Sequence, residues 1–193
     1  VSYNSFFIDD EKTCVLDAMD KVCRDEFLED VEYLLHGRQL DYFIIQHMEP
    51  DHASSALALV EKYPNVKIVG QAQTFKFFEQ FYSEDYKANY MTVTEGDQLD
   101  LGKHKLQFIK APMVHWPEVI MTYDLTDKIL FSADAFGMFG TVGNIFADQV
   151  EYEEEYLDEA RRYYVNIVGK YGAQVMAVLK KASGLQIDYI CPI

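Results

Sequence analysis

The stretch Gln46-His47-Met48-Glu49-Pro50-Asp51-His52-Ala53-Ser54-Ser55 constrains this chain more than any other. Within six residues it carries four groups able to bind metal or carry protons: His47, Glu49, Asp51 and His52. An apolar run, Tyr42-Phe43-Ile44-Ile45, precedes it and reads as a buried strand, and Ala56-Leu57-Ala58-Leu59-Val60 follows and reads as helix. A chain that reverses from strand into helix turns its side chains toward a common point, so ligands gather there. The spacing predicts one half of a two-metal site. A solvated polar turn is the plain alternative for this stretch alone. Glu49-Pro50-Asp51-His52 also has the Glu-x-x-His spacing of helix-bundle di-iron proteins. Pro50, the preceding strand and the lack of a second copy argue against that class.

The rest of the chain intermingles strands and helices, with no repeat and no linker. Strands are expected at residues 1–8, 13–16, 42–46, 66–69, 90–93, 104–109, 119–123, 129–131 and 187–191. The first two read as a hairpin turned by Asp9-Asp10-Glu11-Lys12. Helices are expected at 25–35, capped by Gly37, and at 54–63, ended by Pro64-Asn65. Three more are expected at 74–81, 151–168 and 174–181. The Phe75, Phe77, Phe78 and Phe81 stripe reads as core at helical spacing. Gly137, Gly140 and Gly143 make 136–144 a mobile or tightly turned loop. No Lys-Ser/Thr follows, so it is not a phosphate loop. Hairpins alternating with strand–helix units imply an α/β, four-layer, two-sheet sandwich with helices outside. The chain starts at Val1 inside a strand-like stretch and stops just after another, so both ends read as cut.

Composition removes several function classes. The 193 residues suit one domain, and the 49% hydrophobic content supports a core. A net charge of −15, from 17 basic and 32 acidic residues, disfavours nucleic acid as a partner. No apolar run is long enough for a membrane span, and no signal peptide is visible. Cys14, Cys23 and Cys191 are scattered and form no CxxC pair, as expected of idle thiols in a reducing cytoplasm.

Two later positions fit the same site. His115, in Met113-Val114-His115-Trp116-Pro117, lies just past a strand, and Trp116-Pro117 is expected to pack and hold it. Asp134, in Phe131-Ser132-Ala133-Asp134-Ala135-Phe136-Gly137, is an acid beyond an apolar strand. It can face a shared crevice and bridge two cations, or cap a backbone N–H in a turn. Three carboxylates in one site suit iron or manganese better than zinc. His36, at a helix end, and His104, in a polar turn, are expected on the surface.

The set His47-x-Glu49-x-Asp51-His52, His115-Trp116-Pro117 and Ser132-Ala133-Asp134-Ala135-Phe136-Gly137 resembles the metallo-β-lactamase-like domain of the flavodiiron proteins, or A-type flavoproteins. Arg161-Arg162-Tyr163-Tyr164-Val165-Asn166-Ile167 is similar to a helix of that family. The resemblance covers nearly the whole chain, and Glu49 marks it, because hydrolytic members of the superfamily usually place His there. It implies an αββα sandwich holding two non-haem irons. His47, Glu49 and His115 would bind one, Asp51 the second, and Asp134 would bridge them. His52 would sit behind the ligands and handle protons, and Tyr163 or Tyr164 would line the substrate pocket. The implied reaction reduces O2 to water, or NO to N2O, with electrons from FMN. That FMN would lie in a flavodoxin-like domain of the opposite subunit of a homodimer, outside this chain. A rubredoxin-like or NADH-linked donor would feed it. The family's pattern also implies a further His ligand beyond Ile193. An O2-binding sensor and a zinc hydrolase are the alternatives that such a site allows.

Overall fold

The structure, a computed structural model, describes residues 3–82 and 85–193. Val1 and Ser2, at the start of the expected first strand, lie outside the described residues. The first sheet runs β1 (Phe6–Ile8), β2 (Cys14–Leu16), β3 (Tyr42–Ile44), β4 (Lys67–Gly70) and β5 (Tyr90–Thr92) in that order. Only β1 is antiparallel to its neighbour, as the expected hairpin requires; β2 to β5 are mutually parallel. The second sheet comprises β6 (Gln98–Asp100), β7 (Lys105–Lys110), β8 (Ile120–Asp124), β9 (Ile129–Phe131) and β10 (Tyr189–Cys191). Its order is β10-β9-β8-β7-β6, antiparallel except for β9–β10. The helices are α1 (Arg24–Leu35), α2 (Pro50–Ala53), α3 (Ala56–Lys62), α4 (Ala72–Phe81), α5 (Tyr152–Glu155), α6 (Leu157–Ile167) and α7 (Gly172–Ala182).

Strand periodicity builds the layers. Successive side chains of a strand point to opposite faces, so each apolar strand serves two cores. Val15, Phe43 and Ile68 pack outward against Phe27 and Val31 of α1, Leu59 of α3 and Phe78 of α4. Their neighbours Cys14, Leu16, Ile44 and Val69 point inward and meet Leu106, Phe108, Ile120 and Phe131 of the second sheet. Met121, Tyr123 and Leu130 face outward again and meet Val168 and Val178 beside α6 and α7. The three cores make the expected αββα sandwich. Phe43, Phe78 and Phe108 are completely buried; each contributes about 1.5–3 kcal/mol relative to an exposed side chain.

Several details differ from the sequence-based expectation. β6 was not expected: only Leu99 of its three residues is buried, too little pattern to register between Gly96 and Gly102. The helix expected over 151–168 is broken at Tyr156 into α5 and α6. The run Glu153-Glu154-Glu155 places like charges in one turn, which weakens a continuous helix there. The helix expected over 54–63 is α3, preceded by the one-turn α2 that Pro50 opens at its first position. Of the Phe stripe in α4, Phe75 and Phe78 are buried, whereas Phe81 is half exposed. His104 is not solvated: its Nδ1 lies 2.7 Å from Asp124 Oδ2, and Asp124 is buried at the end of β8. His36 does lie on the surface, where it ends α1 in a left-handed conformation. Among the described residues no helix is long and apolar enough to cross a membrane.

The topology decides where chemistry gathers. The C-terminal ends of β2, β3, β7 and β9 open on the same region, and the chain segments leaving them carry Asp17, His47, His115 and Asp134. Crevices at the carboxyl ends of strands are the usual home of ligand sites in α/β folds.

Candidate metal centre

Local backbone conformation aims these side chains. Glu49 is the extended residue immediately before α2 and makes no side-chain cap bond, so its carboxylate is free to point away from the helix. Asp51 and His52 sit in the first turn of α2. Asp17, Met113, Ala133 and Phe136 all adopt left-handed backbone, with φ between 51° and 69°. Such conformations are costly for non-glycine residues and collect at functional sites. Here each lies within two residues of a ligand candidate or, as Asp17, holds one in place.

Asp134 is the hub. Its Oδ2 lies 2.8 Å from His115 Nε2 and 3.3 Å from His47 Nε2, and its Oδ1 lies 2.9 Å from His52 Nε2. Glu49 Oε2 stands 2.9 Å from His115 Nε2 and 3.3 Å from His47 Nε2. Asp51 Oδ2 stands 3.4 Å from His52 Nε2. The two oxygens of Asp134 therefore divide the donors into two groups. His47, Glu49 and His115 lie on one side, with Asp51 and His52 on the other. The donor atoms of His47, Glu49, His115 and Asp134 all fall within 4.8 Å of one another.

The electrostatics describe a cation site in which protons stand in for the cation. Burial opposes charge on His47, His52 and His115, but the carboxylates around them outweigh it. Asp134 leads for all three, and their pKa values rise, that of His115 to about 9. Hydrogen bonds from His115 and then His47 hold Glu49 down at about 2. Burial raises Asp134, yet the three imidazoles bring it well below the usual carboxylate range. Burial raises Asp51, whose Oδ1 is enclosed with no hydrogen-bond partner. With imidazole nitrogens and carboxylate oxygens converging here, and Asp51 Oδ1 left without a partner, these residues form a donor set that metal would complete. Its mixture of imidazole and carboxylate fits two irons.

Two positioning residues escaped the sequence reading. Glu118 is fully buried and accepts from His47 Nδ1 at 2.8 Å and from the Met48 backbone N–H at 2.9 Å. That bond fixes the His47 tautomer so that Nε2 presents its lone pair to the site. Asp17, also fully buried, accepts from the Gln46 backbone and side chain, both at 2.8 Å, and from His47 N–H at 3.3 Å. Burial pushes its pKa up to about 6 against those bonds. Asp17 follows the apolar Cys14-Val15-Leu16 just as Asp134 follows β9, so the same pattern would have found it. Trp116 packs edge-on against His47 at 5.3 Å, closer than the 6.3 Å to His115 that it was expected to hold.

A pocket of about 370 Å³ opens over this cluster, lined by Asp51, His52, Asp134, Phe139 and Tyr163 among others. The 136–144 loop roofs it. Phe139 is held between the Arg162 guanidinium, 4.1 Å above its ring, and the Tyr163 ring at 5.2 Å. Burial, followed by the charges of Asp134, Glu49 and Asp51, keeps the Tyr163 hydroxyl protonated. Tyr164 is half exposed and does not line this pocket.

Residues 1–193 match a family model described as ODP family beta lactamase. The anaerobic nitric oxide reductase flavorubredoxin of Aliivibrio salmonicida is 36% identical over 192 residues; the match spans 98% of this chain and 38% of that protein. The crystal structure of the flavodiiron protein from Giardia intestinalis superposes with a TM-score of 0.92 at 33% identity. That match covers 98% of this chain and 46% of the other. The rubredoxin oxygen:oxidoreductase of Desulfovibrio gigas gives a TM-score of 0.90 at 31% identity, covering 98% and 47%. The chain thus spans well under half the length of that curated relative and about half of the two solved chains.

Proposed function

We propose, for a chain that belongs to the ODP beta-lactamase family and with it to the flavodiiron proteins, that it is the catalytic di-iron domain of a cytoplasmic reductase. The substrate is O2, reduced to water, or NO, reduced to N2O and water. The observation that carries this reading is the division of the donors about the two oxygens of Asp134. His47, Glu49 and His115 would hold one iron and Asp51 the second, with Asp134 shared between them; such a pair, when bound, would supply the electrons for gas reduction. Those electrons would come from FMN on a flavodoxin-like domain of the opposite subunit in a homodimer, fed by a rubredoxin-like or NADH-linked protein. The names of the relatives, a flavorubredoxin and a rubredoxin oxygen:oxidoreductase, support that partner class.

The protein's own groups orient and protonate. Glu118 sets the tautomer of His47, and Asp17 fixes the backbone from which His47 projects. His52, whose Nε2 lies 2.9 Å from Asp134 Oδ1 at the floor of the pocket, would handle protons beside the second iron. Tyr163 keeps its hydroxyl proton at the pocket wall, where it can donate to an oxygen atom gaining charge. The Phe139 roof limits water above the cluster.

The test is elemental analysis and gas turnover of the protein with its flavin partner, wild type against Glu49→Ala. Two irons per chain, with iron and turnover both lowered in the variant, are expected. Zinc with hydrolytic activity, or unchanged iron in Glu49→Ala, would overturn the assignment.

A further inference from the structure

A second room besides the pocket over the cluster is bordered by Asp134. This room, of about 310 Å³, extends between α6, α7 and the outer face of the second sheet. Val114, Met121 and Leu130 form its sheet side, and Val168, Val175 and Val178 its helix side. Apart from Asp134 and tyrosine hydroxyls, no ionisable or amide side chain lines it. Asp134, Phe136, Gly137 and Tyr163 border both rooms, so the two meet at the hub of the metal centre. Gly137 is essential to that junction. A methyl group on it would stand 2.9 Å from Tyr163 Cζ and 3.0 Å from the Asp134 carbonyl oxygen.

The room is not a closed void: Phe136, Tyr164 and Leu179 on its border are 56%, 43% and 44% exposed, so it opens to solvent along α6 and α7 and leads from there toward Asp134. Away from Asp134 and the tyrosine hydroxyls, its walls offer nothing to pair with a charged or strongly hydrogen-bonding molecule. Apolar cavities of this size accept xenon or benzene. Small non-polar gases share that preference for hydrocarbon over water.

We infer that this cavity is a gas antechamber: it concentrates non-polar diatomic molecules of the O2 and NO class and delivers them to Asp134 past Gly137 and Tyr163. The inference rests on the gas-reductase reading above and adds the route. Charged species and protons use the polar pocket, and the gas uses the apolar room.

Xenon-pressurised crystals of the metal-free protein test the cavity without any turnover. Xenon is expected between Met121 and Val175. Val175→Phe fills the room from α7, and Leu179→Trp fills it from the half-exposed rim without entering the core. Both should exclude xenon. Iron-loaded, chemically reduced protein is then mixed with O2 or NO by stopped flow. The second-order rate constant should fall several-fold in both variants, while iron content and azide binding through the polar pocket stay unchanged. Absence of xenon, ordered acyl-chain density in the room, or an unchanged gas rate in a xenon-excluding variant would each overturn the antechamber. A wild-type protein that takes up xenon but reacts with neither gas would instead refute the reductase reading, and with it the antechamber's role.

Discussion

Removal of Glu118 should weaken both the fold and the metal centre, by amounts that follow from its contacts. Its Oε1 accepts from His47 Nδ1 and from Met48 N–H, and the side chain is completely buried. Glu118→Ala strands two buried donors, at about 1–3 kcal/mol each. The loss of a buried carboxylate whose Oε2 has no partner offsets part of that, leaving a net destabilisation of about 3 kcal/mol. Loss of the orienting bond should also weaken metal binding by about 10–100-fold. Glu118→Gln keeps an acceptor of the same shape, so it should recover most of the stability. It removes the negative charge that makes His47 a better donor, so it should recover less of the affinity. Urea unfolding of the metal-free protein measures the first quantity, and competition with a chelator for Fe(II) or Co(II) measures the second. The reasoning fails if Glu118→Ala unfolds within about 0.5 kcal/mol of wild type and binds metal equally well, since a surface-like substitution has that size of effect.

Gly137→Ala should push the Tyr163 ring off the pocket wall, because the new methyl has 2.9 Å to Tyr163 Cζ; lower gas turnover with unchanged iron content is the expected result. The pH dependence of the metal-free protein has a definite sign. His115 has a folded pKa of about 9 against an ordinary 6.5, so its stabilising contribution is complete below 6.5 and is lost as pH rises through about 9. Asp17, with a folded pKa of about 6, is still partly protonated when that window opens, and its ionisation lowers stability in the same direction. Thermal melts should therefore show falling stability from pH 6.5 to 9, and a flat profile would refute the assignment. Metal should remove this alkaline loss and release protons on binding, measurable by calorimetry in buffers of different ionisation enthalpy.

The candidate centre was more legible than the elements around it. His47, Glu49 and Asp51 stand in one short run because a strand exit concentrates polar side chains, and the bare acid after β9 brought Asp134 into the candidate set. Cross-chain partners were hidden. Glu118 acts on His47 from 71 residues away, and nothing local distinguishes it from a surface glutamate. His104 misled for the same reason, since its partner Asp124 comes from another strand. His52 was expected behind the ligands; its Nε2 stands 2.9 Å from Asp134 Oδ1, while His115 Nε2 stands 2.8 Å from Asp134 Oδ2. Strand alternation at Cys14–Leu16, Phe43–Ile44 and Ile68–Val69 made the two-sheet sandwich readable. β6 and the break at Tyr156 were not, because both depend on packing and charge within too few residues to leave a period.

The donors come from both halves of the sandwich. Glu49 leaves the first sheet, whereas His115 and Asp134 leave the second, and His115 and Glu49 are 66 residues apart in sequence. A cation held between them is a cross-link in the polymer sense. It closes a long loop that the unfolded chain would otherwise explore, worth about 4 kcal/mol by the relation used for disulfides of that span. Metal supply would then bear on stability as well as chemistry: without the cation the two sheets part more readily, and the metal-free protein should be the more susceptible to proteolysis.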